Sequence, residues 1–122
     1  MSVEERHLRI AGVLEQVSAA CDFVVEQARL AGLDERAIHH CYLAVDEACT
    51  NIVEHGYGIE NPHYVIDIEC RWDDEALTIT ILDDSTAFDP LVRPDPDPKL
   101  PVSARHPGGW GIFFIKKLMD KV

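Results

Sequence analysis

The stretch Glu47-Ala-Cys-Thr-Asn-Ile-Val-Glu-His-Gly-Tyr57 decides the reading of this chain. It closes a run in which Ile38, Cys41, Tyr42, Val45, Ala48, Cys49, Ile52 and Val53 recur at helical spacing. Asp34 is placed as its N-cap, and Gly56 and Gly58 mark its end. Opposite the apolar stripe, Glu47, Asn51 and His55 recur at i, i+4 and i+8, which aligns them on one helix face. Glu54 flanks them, and the small Ala44 sits one turn earlier. A carboxylate and a carboxamide one turn apart can share a hydrated divalent cation and leave the carboxylate free to accept a proton. A merely solvated helix face has the same periodicity, so the stripe alone does not separate the two.

Working outward, residues 13–31 carry Val13, Leu14, Val17, Ala20, Cys21, Val24, Val25 and Ala28 in the rhythm of another amphipathic helix, ended by Gly32. Before it, Leu8 and Ile10 alternate with Arg9 and predict a short strand. After the decisive stretch, Tyr64, Ile66, Ile68 and Cys70 alternate with polar residues, and Leu77-Thr-Ile-Thr-Ile-Leu82 repeats the pattern. Asp73-Asp74-Glu75 between them predicts the turn of an antiparallel hairpin. Six of the seven prolines fall in residues 90–107, which excludes a regular element there. Gly108-Gly109-Trp110-Gly111 then leads into a last helix, Ile112 to about Asp120. Helices on one face of an antiparallel sheet make this an α+β chain.

At 122 residues and 47% hydrophobic content the chain has the material for one domain with its own core. Its 22 Asp+Glu against 11 Lys+Arg give a net charge of −11. That balance argues against nucleic acid as a direct partner and against an anionic membrane surface. The sequence shows no membrane span and no secretory leader, so it reads as cytoplasmic. Cys21, Cys41, Cys49 and Cys70 form no C-x-x-C pair and sit in apolar stretches, as reduced core thiols do.

Two further features carry chemistry. Asp83 follows the second hairpin strand; it can start a turn, or it can accept a hydrogen bond from a purine amine at a pocket mouth. Gly108, Gly109 and Gly111 precede a helix, where close backbone approach and free N–H groups can cradle a polyphosphate. In so acidic a chain the positive field must come from backbone amides, Mg²⁺, Arg105 or Lys116.

Taken in order, these segments resemble the GHKL ATPase superfamily. Residues 47–57 look like its N-box, Leu-Asp-Asp-Ser-Thr-Ala-Phe-Asp-Pro (82–90) like its first glycine box, and Gly-Gly-Trp-Gly-Ile-Phe-Phe-Ile-Lys-Lys-Leu-Met-Asp (108–120) like its second. The forms are similar to the small anti-sigma-factor serine/threonine kinases, and the resemblance runs from about Leu8 to the C-terminus. It implies a two-layer α/β sandwich of the Bergerat type, with an antiparallel or mixed sheet, in a single domain over residues 1–122. It implies Asn51 coordinating Mg²⁺ on ATP, Glu47 as general base toward an accepting serine, and Asp83 on the adenine amine. Gly108, Gly109 and Gly111 would line the triphosphate, and about 89–107 would be the ATP lid. The implied partners are an anti-anti-sigma (STAS-type) protein and a sigma factor, with the chain as a homodimer.

Two departures accompany the match. Ser85 stands where the first glycine box has glycine, and a side chain there can crowd the adenine or deny a positive φ. The sequence also stops at Val122, where such relatives continue with one or two strands, so a small sheet with an exposed edge is expected. Both favour an alternative: a sigma-factor or regulator binding module that has lost catalysis and holds nucleotide weakly.

Overall fold

The computed structural model describes residues 2–56, 61–83 and 118–122. Their elements run β1 (Glu4–Gly12), a 3-10 turn (Leu14–Gln16), α1 (Val17–Leu30), α2 (Glu35–Asn51), a π turn (Ile52–Gly56), β2 (Asn61–Trp72) and β3 (Leu77–Asp83). The strands form one antiparallel sheet in the order β1-β2-β3. The two helices pack against it, which bears out the α+β, two-layer expectation.

The hairpin follows from alternation. Ile66, Ile68 and Cys70 are fully buried, and Asp67, Glu69 and Arg71 point the other way. The register places Ile10 and Leu8 opposite Ile66 and Ile68, and Ile81 and Ile79 opposite Ile68 and Cys70. One face of the sheet is therefore apolar across all three strands. It meets Val17, Ala20, Cys21 and Val24 of α1 and Cys41, Val45 and Cys49 of α2 in a single core. Each buried isoleucine contributes roughly 1.5–3 kcal/mol to that layer. The turn forms as expected: Asp73 Oδ1 accepts the Glu75 and Ala76 N–H groups at 2.8 and 3.0 Å. Those bonds hold the Asp73 carboxyl below its usual range.

β1 is nine residues long, not the short strand expected. Its charges conceal it, because each has a lateral outlet. Arg9 clasps Asp67 across the strands, Nε to Oδ1 at 2.7 Å and Nη2 to Oδ2 at 3.2 Å. That contact holds the Asp67 carboxyl below its usual range. Arg6 pairs with Glu4 at 3.0 Å and lies 5.8 Å from the Trp72 ring centroid.

The first helix also starts later than the apolar rhythm suggests. Val13 is extended, and the Gln16 side chain turns back to accept the Ala11 N–H at 2.7 Å. The α ladder begins only at Val17. Its other end is a Schellman closure: Leu33 N–H donates to the Ala28 carbonyl at 3.1 Å and Gly32 N–H to Arg29 at 3.0 Å. Gly32 has φ +87°, which only glycine adopts cheaply. Asp34 then caps α2 as expected, its Oδ1 accepting the Ala37 N–H at 2.8 Å.

All four cysteines are free and buried. Burial pushes the thiols of Cys21, Cys49 and Cys70 up to about 12, so they serve as small apolar fillers. The expected last helix lies mostly outside the described residues. Its far end is seen at Met119, which packs against Ala44 of α2.

Candidate functional site

The last turns of α2 carry the two polar residues that sequence reasoning placed together. Glu47 and Asn51 are both within the α ladder, one turn apart and each partly buried. The apolar stripe behind them (Val45, Cys49, Val53) is anchored in the core and fixes the helix's rotation, so this polar edge cannot turn away.

Burial raises the Glu47 carboxyl above the ordinary value of 4.5, and the neighbouring charges of Asp46 and Glu54 add to the effect. A carboxylate lifted in this way is a stronger base than a free one. Asp46 is the contributor that sequence reasoning missed. Its signal was available, two acids in succession at 46–47, the second on a partly buried face.

Asn51 supplies a second observation. Its Nδ2 atom is buried and has no hydrogen-bond partner among the described residues. An unpaired buried amide costs about 1–3 kcal/mol, and such groups need an explanation. A carboxamide offers either oxygen or nitrogen to one side by a half-turn. The donor set, an amide oxygen one helical turn from a carboxylate, fits a hydrated Mg²⁺.

Directly after Asn51 the helix loosens into the π turn Ile52–Gly56. The i+8 alignment expected for His55 assumed an α ladder throughout, and that ladder ends at Asn51. Insertions of this kind recur at functional sites.

Asp83 is the last residue of β3 and stands opposite Ile66 in the register. Directly opposed residues share a face, so Asp83 is on the helix-bearing side of the sheet, at its end. Gly108, Gly109 and Gly111, together with Ser85 and the segment 89–107, lie outside the described residues. A cleft of about 420 Å³ lies near the other end of α2, between Ala37, His40, Cys41, Asp74 and Asp120. It contains neither Glu47 nor Asn51, so cavity volume among the described residues does not locate this site.

Residues 10–122 match the family described as the histidine kinase-like ATPase domain. The chain belongs to that family. This histidine-kinase-like ATPase domain is similar to the serine-protein kinase RsbW of several bacteria. It is 30% identical over 86 residues to the Bacillus licheniformis protein, covering 66% of this chain and 52% of that one. It is 33% identical over 95 residues to the Oceanobacillus iheyensis protein, covering 75% and 60%. A Staphylococcus aureus counterpart is 31% identical over 120 residues, covering 88% and 74%. The chain thus spans between half and three fifths of the length of the first two. The GHKL anti-sigma-kinase resemblance seen in the three boxes is borne out at the level of family. The described residues contain no helix long and apolar enough to cross a membrane.

Proposed function

We propose that this domain binds Mg·ATP and transfers the γ-phosphoryl group to a serine or threonine of an anti-anti-sigma partner, acting as an anti-sigma regulatory factor in the cytoplasm. The observation that carries the reading is the pair at the end of α2: a carboxylate made more basic by burial, one turn from a buried amide with no partner among the described residues. In this reading Asn51 holds the Mg²⁺, and the bound ion neutralises phosphate charge as phosphoryl transfer requires. Glu47 takes the proton of the accepting hydroxyl. Asp83 accepts from the adenine amine, and the amides of Gly108, Gly109 and Gly111 hold the phosphates. The sigma factor and a second copy of the chain complete the proposed partners.

Ser85 keeps one rival in view, a sigma-binding module without catalysis. Radiolabelled ATP incubated with the chain and STAS-type proteins separates the two. Label on a partner serine, absent with Glu47→Ala, supports the kinase. A tight partner complex that never acquires label and ignores ATP supports the module.

A further inference from the structure

The outer face of the sheet, away from the helices, carries a cluster that phosphoryl transfer does not use. Glu5 and His7 lie two residues apart on β1 and so share a face, and the register sets Glu69 of β2 directly opposite His7. One donor atom from each lies within 4.8 Å of the others. His7 Nε2 is 3.5 Å from Glu5 Oε1. The chain has six histidines and 22 acids, yet among the described residues this is the one place where three such groups converge.

Two of the surrounding cations are committed elsewhere. Arg9 is clasped to Asp67, and Arg6 is paired with Glu4 over Trp72. Arg71 stands opposite Glu5 in the register but forms no ion pair with it. Two carboxylates are thus brought together around one imidazole, with Arg71 on the same face.

We propose that Glu5, His7 and Glu69 bind a zinc-class divalent ion, with water in the fourth position. One nitrogen and two oxygen donors suit zinc, whereas the imidazole disfavours Mg²⁺ and Ca²⁺. Tetrahedral bonds of about 2.0–2.2 Å place donors about 3.3–3.6 Å apart, so these exposed side chains would rotate to close on the ion. The ion would tie the outer strand β1 to β2, at a site independent of Glu47 and Asn51.

The test is calorimetric titration of the untagged chain with zinc chloride, in millimolar Mg²⁺ and without chelating buffer. One zinc per chain in the micromolar range is expected, weakened at least tenfold in His7→Ala and in Glu69→Gln. A His39→Ala/His40→Ala variant should bind like the parent. Zinc should also slow hydrogen exchange of the β1 amides in the parent and not in His7→Ala. Binding that is equal in all variants, or seen only at millimolar zinc, overturns the proposal and leaves an ordinary charged surface.

Discussion

At its N-terminal end α2 has few loose polar ends. Asp34 receives the Ala37 N–H, Ile38 N–H donates to the Asp34 carbonyl at 2.9 Å, and Glu35 receives Arg29 Nη1 at 2.6 Å. About four to five turns away the same helix does the reverse. Glu47 is partly buried among like charges, Asn51 keeps an amide nitrogen with no partner among the described residues, and the ladder relaxes into a π turn. One end follows the rules that stabilise a helix, and the other departs from them in three ways within ten residues. Departures concentrated at one place are what a site held ready for a ligand produces.

The comparison can be broken by substitution, and the largest effect expected is on catalysis. Glu47→Ala should lower phosphotransfer by about 100- to 10,000-fold, the usual contribution of a positioned general base. Its melting temperature should not fall, because the lost carboxylate was disfavoured by burial. Unaltered transfer would remove Glu47 from the mechanism.

Next in size is Asn51→Ala. A hydrogen bond to a charged ligand contributes about 1.5–3 kcal/mol, so Mg²⁺-dependent ATP affinity should drop by about ten- to a hundredfold. Denaturant unfolding should show stability equal to or above the parent, since an unpaired buried amide has been deleted. A loss of several kcal/mol would mean that the amide is structural.

Asp34→Ala should behave in the opposite sense. Losing the cap should cost about 0.5–2 kcal/mol of stability, with ATP affinity unchanged.

The smallest effect is in pH. The Glu47 carboxyl is raised in the fold, so the native state holds its proton longer than the unfolded chain does. Stability therefore falls as pH rises from the ordinary value of 4.5 through the raised one. Glu47→Gln should flatten that part of the unfolding profile. An unchanged slope would show that Glu47 is not perturbed.

Much of the scaffold was legible because its signals are local. The Asp34 cap, Gly32, the Asp73 turn and the alternation of β2 and β3 each rest on residues close in sequence. β1 was read too short because its supports are distant: Arg9 finds Asp67 58 residues away, and Arg6 finds Trp72. The late start of α1 depends on Gln16 bonding back to Ala11, which competes with the helical rhythm. Of the site, the pairing of Glu47 with Asn51 was legible from helical spacing. The π turn after Asn51, the unpartnered amide and the influence of Asp46 were not, since they arise from how α2 is pressed against the core.

The most direct test of the central claim is calorimetric titration of the chain with ATP, with and without Mg²⁺, in parent, Asn51→Ala and Asp34→Ala. The account predicts Mg²⁺-dependent binding in the micromolar range, weakened about ten- to a hundredfold in Asn51→Ala and kept in the less stable Asp34→Ala. No binding at millimolar ATP, or equal loss in both variants, would contradict the claim that the C-terminal end of α2 is the nucleotide site.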